Sequence, residues 1–171
     1  KGDKGVYTLV QDGDDITVNI YAPSKDTYRG FRIAYELKGA VNKYKDVSEL
    51  YWKFIDNNNE TPIKRLEIYV TYPEGSTSDT IRAYGHGPEN GAVRILDDRN
   101  AIFTVDNLDS NTMVEIRALM PAELLSAMDN TTNEEMLDKI LDEEKGYTNN
   151  VIKEKEKQQE VENFGRVSPL I

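Results

Sequence analysis

Period-two alternation of apolar and polar side chains recurs along the first two-thirds of this chain, and it restricts the fold more tightly than any other feature. Ile16, Val18, Ile20 and Ala22 alternate with Thr17, Asn19 and Tyr21. Phe31, Ile33, Tyr35 and Leu37 alternate with Arg32, Ala34 and Glu36, and Leu66, Ile68, Val70 and Tyr72 with Glu67, Tyr69 and Thr71. Successive side chains of a strand point to opposite faces, so each segment can bury one side of a sheet and wet the other. Shorter strands are expected around 80–84, 91–96, 101–105 and 113–120. Turn-forming residues separate them: Asp12-Gly13-Asp14-Asp15, Pro73-Glu74-Gly75-Ser76 and Asp109-Ser110-Asn111. About eight strands at short spacing predict a mostly β protein, an antiparallel two-sheet sandwich of the immunoglobulin or fibronectin kind. The Leu108-centred corner between Phe103 and Arg117 fits that expectation.

The pattern changes near Met128. From Asp129 to Asn163 there are eleven acidic residues against five lysines, so this fifth of the chain carries −6 of the total −10. Met136, Leu137, Ile140 and Leu141 follow a helical stripe, weakly continued by Tyr147, Val151 and Ile152. Thr132 and Glu135 have the spacing of a capping box. Gly146, Asn149 and Asn150 predict a break, and nothing from Lys153 to Glu160 is apolar. The expected organisation is a β body over 1–128, an acidic helical extension over 129–164 whose first half docks on the body, and a short tail over 165–171.

Composition narrows the function classes. A net charge of −10 opposes binding to a nucleic-acid backbone or to an anionic lipid surface. With no cysteine there is no disulfide, thiolate nucleophile or thiolate-bound metal. No run approaches the roughly 18 apolar residues of a membrane span. The opening Lys1-Gly-Asp-Lys-Gly has neither an initiator Met nor a signal peptide, and is expected to come from a trimmed piece of a longer product.

Between Tyr35 and Ile55 the chain concentrates aromatic residues: Tyr35, Tyr44, Tyr51, Trp52 and Phe54. Leu50, Trp52 and Phe54 share a face if this stretch is extended. Tyr35, Tyr51, Trp52 and Phe54 are expected to form an aromatic core, with a sugar-stacking platform as the alternative. The run Tyr35-Glu-Leu-Lys-Gly-Ala-Val, then Asp46-Val-Ser-Glu-Leu-Tyr-Trp-Lys-Phe-Ile and Thr61-Pro-Ile, resembles the family called domain of unknown function 2207, predicted bacterial membrane proteins. Further agreement lies in Val70-Thr-Tyr-Pro, Tyr84-Gly-His-Gly with Gly91, Asp106-Asn-Leu, Arg117-Ala-Leu-Met-Pro and Ile140-Leu-Asp-Glu-Glu. The resemblance runs from about Phe31 to Lys145. It implies a secretion signal, an extracytoplasmic domain and then membrane segments, so this chain would be part of an anchored protein on the outer face of the bacterial cell membrane. The family domain opens with strands upstream, and here little precedes Val6. If those strands are missing, an exposed sheet edge is expected to pair with a neighbour, including a second copy.

The resemblance supplies no reaction. His86, the only histidine, sits in Tyr84-Gly-His-Gly-Pro-Glu-Asn-Gly. It is either the imidazole of a mobile binding loop with Arg82, Tyr84 and Glu89, or the local tie of a tight turn. A zinc centre needs more nitrogen or sulfur ligands, and the Gly-x-Ser-x-Gly elbow of serine hydrolases is absent. Asp12, Asp14 and Asp15 lack EF-hand spacing and fit a polar hairpin turn better than a calcium loop. The expectation is therefore a domain without catalytic residues, cofactor or metal, whose partner is an envelope protein or cell-wall component. The alternative is an enzyme or ligand-binding domain, a carbohydrate binder among the candidates, acting on the cell wall through the His86 loop.

Overall fold

The structure, a computed structural model, describes residues 5–23, 25–126 and 130–148. Its described part is mostly β, with antiparallel sheets and one helix. The chain forms two compact units, Lys1–Leu37 and Lys38–Ile171.

In the first unit, β1 (Tyr7–Asp12) and β2 (Asp15–Ile20) make an antiparallel hairpin. Asp12 pairs with Asp15, which leaves Gly13 and Asp14 as a two-residue turn. Gly13 has φ 61°, and a positive φ at the first central position matches a type II′ turn, which follows the right-handed twist of the strands. The acidic triplet is therefore hairpin chemistry. Residues 31–37 depart from expectation. They alternate correctly yet form no strand among the described residues, and Phe31, Ile33, Tyr35 and Leu37 are all exposed. Alternation makes a segment fit to be a strand, but only a partner's backbone groups complete one.

The second unit carries two sheets. β3 (Val41–Lys43), β4 (Val47–Ile55), β9 (Val114–Pro121) and β6 (Arg82–His86) form one, in the order β3-β4-β9-β6. β5 (Ile63–Thr71), β8 (Asn100–Leu108) and β7 (Ala92–Ile95) form the other, in the order β5-β8-β7. Both contribute to a single buried cluster: Ile68 from β5, Ala101, Phe103 and Val105 from β8, and Val114, Ile116, Ala118 and Met120 from β9. The corner leucine, Leu108, is 1% exposed within it. Gly85 is required where the sheets approach, because a Cβ there would stand 3.1 Å from Val93 and 3.4 Å from Phe103. β6 thus lies against β7, and β4 and β5 share the opposite side.

The other face of the four-stranded sheet receives helix α1, residues 137–148. Ile140, 1% exposed, packs with Val47 and Leu119, and Met136 and Leu137 join them. The segment leading into the helix runs parallel to β3, with Lys43 N–H donating to Asn130 O, Thr132 N–H to Lys43 O and Lys45 N–H to Glu134 O. The expected Thr132–Glu135 capping box does not start the helix. Asp46 does, accepting the N–H groups of Met136 (2.8 Å) and Leu137 (3.1 Å) from 90 residues away in sequence. A carboxylate at a helix N-terminus satisfies orphan donors and faces the positive end of the dipole. Gly146 lies within the helix. The expected boundary at Met128, Asn149, Asn150 and everything from Val151 onward, the 165–171 tail included, fall outside the described residues.

The aromatic core is corrected. Trp52 is 36% exposed, Phe54 40% and Tyr35 75%, and only Tyr51 is half-buried. Trp52 does point toward the shared core, since it pairs with Ile116. However, β3 reaches only as far along β4 as Leu50, so Trp52 sits at an open margin. A register shift between Lys53 and Ile55 turns Phe54 outward. Tyr35 belongs to the unpaired 31–37 segment. Accordingly, Ile116→Ala is expected to cost about 2–5 kcal/mol, and Trp52→Ala only about 1–2 kcal/mol despite its larger side chain, as read by urea denaturation.

Candidate functional site

Strand register brings a polar cluster together on the helix-bearing face. Across β4, β9 and β6 the matched rows are Glu49–Leu119–Arg82, Tyr51–Arg117–Tyr84 and Lys53–Glu115–His86. Strand parity sends all of these side chains to one face, the side opposite Ile116 and Ala118. Along α1, Ile140, Glu144 and Tyr147 are spaced for one stripe, so the residue that follows the apolar contact by one turn meets the polar rows.

Arg117 is the centre. Its side chain is only 7% exposed, and it donates from Nη1 to Glu144 Oε1 (2.7 Å) and from Nη2 to Glu143 Oε2 (3.0 Å). Its Nε lies 2.7 Å from Glu49 Oε1, an ion pair whose N–H is not aimed along the contact, so neither atom is hydrogen-bonded there. The guanidinium also stacks 4.3 Å over the Tyr51 ring, its neighbour in the ladder. Tyr44 donates its hydroxyl to the other oxygen of Glu49 (3.2 Å). Burial works against the Arg117 charge, but the bond to Glu144, the field of Glu49 and the bond to Glu143 outweigh it and hold the guanidinium above its usual value.

His86 occupies the adjoining row. Its Nε2 is 3.0 Å from Glu144 Oε2; a carboxylate only accepts, so Nε2 carries the proton. Nδ1 is 3.5 Å from the Tyr51 hydroxyl and 3.7 Å from Glu115 Oε2. The Tyr147 ring of α1 lies against the imidazole, centroids 4.5 Å apart. Burial pushes the Glu144 carboxyl up, yet the bonds from His86 and Arg117 prevail and hold it below the ordinary carboxylate range. Burial, with Glu115 and Tyr147 beside it, raises the Tyr51 phenol well above its usual value.

The expected binding loop is thus resolved differently. Arg82, Tyr84 and His86 lie on a strand, on one face, and only Glu89 is in the connection that follows. The flanking glycines do not open a loop: at Gly87 a Cβ would stand 3.0 Å from the Met113 carbonyl oxygen, so both glycines serve close packing. His86 ties to no local turn either, since its strongest partner is on α1. The motifs of the resemblance contain Glu49, Arg117, Glu143 and Glu144 but give them no role, and Glu115 lies outside them. The usable signal is parity: Glu115 and Arg117 alternate with Val114, Ile116 and Ala118, which puts both charges on the face opposite the core, the face that α1 covers.

On the core side of β6 is a small apolar cleft of about 70 Å³, bordered by Gly85, Gly87, Val93, Phe103 and Ile116. It has room for about two waters, well short of the several hundred Å³ of a ligand pocket.

Because the folded-state value of Glu144 lies below its unfolded value, its contribution is present above the ordinary carboxylate range and is lost as pH falls through the folded value. Glu144→Gln is expected to cost about 3 kcal/mol at neutral pH and to flatten the acid limb of the stability profile, measured by denaturation across the pH range. His86→Ala should lose more than about 1 kcal/mol, because it strips a partner from a buried carboxylate.

The family model described as predicted membrane protein (DUF2207) N-terminal domain matches residues 2–120. The match begins well before the expected start near Phe31 and so includes the β1–β2 hairpin. No curated protein and no solved structure matches. No helix among the described residues is long and apolar enough to cross a membrane.

Proposed function

The chain belongs to the DUF2207 family of predicted membrane proteins, and from that premise we propose that it is a non-catalytic extracytoplasmic domain of an anchored bacterial envelope protein. In this reading the two sheets are the halves of an immunoglobulin-like sandwich, a body ending near Met128. The segment from 129 to 164 leads toward the anchor, with α1 as the coupling piece. One observation carries the proposal: the titratable side chains around His86 are spent on holding α1 to the sheet. Arg117 and His86 both bind Glu144, and the imidazole is enclosed by Tyr51 and Tyr147. A histidine so engaged, with its side chain 10% exposed, suits a clasp better than proton transfer to a diffusing substrate. The body would then meet an envelope protein while the clasp keeps it in fixed relation to the chain that follows.

The cell-wall enzyme or carbohydrate-binding alternative is less well supported, since the cleft beside His86 is small and apolar.

The absence of cysteine makes sidedness directly testable. With Ser78→Cys in the exposed turn before β6 of the full-length protein, any cysteine outside these 171 residues being replaced by serine, a membrane-impermeant maleimide should label intact cells as fully as lysed ones. Labelling only after lysis would place the domain on the cytoplasmic side and overturn the proposal.

A further inference from the structure

We infer that β5 is a self-pairing edge through which two copies of this chain associate, antiparallel and centred on Leu66. β5 is bonded to β8 on one side, and among the described residues no strand pairs with its other side from Ile63 to Thr71. An edge of that length offers a row of unmet backbone donors and acceptors, which native chains normally shorten, cover or pair.

The side chains select the partner and the register. Arg65, Glu67 and Tyr69 project to the outer face, with Arg65 58%, Glu67 36% and Tyr69 64% exposed; within the chain Arg65 binds Glu67 (2.7 Å) and Asp106 of β8 (3.0 Å), so a facing strand would share these exposed pairs and not find free charges. A two-fold axis at Leu66 sets Arg65 opposite Glu67 of the second copy and Glu67 opposite its Arg65. The same axis sets Ile63 opposite Tyr69. Moving the axis by one residue either way places Glu67 against Glu67, or Arg65 against Arg65, and like charges directly opposite are unfavourable. Only the Leu66-centred register is complementary, and the complement is another β5.

The product joins the two β5-β8-β7 sheets into one continuous sheet. The interface is isologous, so it closes at two copies.

Sedimentation equilibrium of the whole 171-residue chain, from micromolar to sub-millimolar, tests this directly. The expected mass rises from one chain toward two. Arg65→Glu and Glu67→Arg should each weaken association about tenfold by setting like charges opposite in both symmetric pairs. The two variants mixed in equal amounts should associate again, because the all-acidic edge of one then faces the all-basic edge of the other in both pairs. The double variant R65E/E67R should recover most of the loss, the remainder set by Asp106, which then faces a glutamate at position 65. Thermal melts confirm folding; if R65E does not fold, E67R and the double variant make the same comparison. A chain monomeric throughout overturns the inference, as does a dimer indifferent to the single reversals or unrestored by the double one.

Discussion

A guanidinium buried in a sheet face has no neutral form to retreat to, and its removal from water must be offset by carboxylates in the right places. Arg117 meets that requirement with Glu49 from the adjacent strand and with Glu143 and Glu144 from α1. The sheet alone therefore leaves Arg117 under-compensated, and the helix alone leaves two acids without their cation. Burial of Ile140 beside Val47 and Leu119 supplies nonspecific attraction between the same two surfaces. The ionic contacts add position: they fix the rotation of the helix and its displacement along the strands, because moving Glu144 away strands a desolvated charge.

This dependence changes the meaning of the acidic C-terminal segment. Taken by composition, its glutamates belong to a solvated appendage. Within the structure, Glu143 and Glu144 neutralise a cation of β9 that precedes them by 26 and 27 residues, and Asp46 of the sheet unit caps the helix start in return. Carboxylates thus pass in both directions between helix and sheet. α1 lies in the same compact unit as β3 through β9.

Much of this architecture is legible in the sequence alone. Strands β2 and β5 follow alternation in sequence and each has a bonded neighbour, while β8 and β9 fall where short strands are expected but are buried along consecutive residues, β9 because α1 covers its second face. The 31–37 segment shows the limit of that signal, since pattern specifies a face and not a partner. Trp52 shows another: its parity is correct for the core, but exposure depends on how far the short β3 extends beside it, which is tertiary information. The apolar side of α1 was readable from Met136, Leu137 and Ile140, while its cap was not, as Asp46 is remote in sequence from the helix it starts. His86 stands out in the sequence as the single histidine, set among glycines. Its role was hidden because its partners come from β4, β9 and α1, and only register aligns them.

The order in which these attachments occur along the chain has a mechanical consequence. Tension drawn through residue 148 toward the body would reach the Tyr147–His86 ring contact first, then the Glu144 contacts, the Ile140 packing and the Asp46 cap, and last the hydrogen bonds of 130–134 to β3 and the residues just after it. The attachments are met in series, so a peeling force breaks them one by one instead of sharing itself among them. The domain is thereby built with a graded yield along its exit path, aromatic and ionic at the outside and backbone-bonded nearest the sheet.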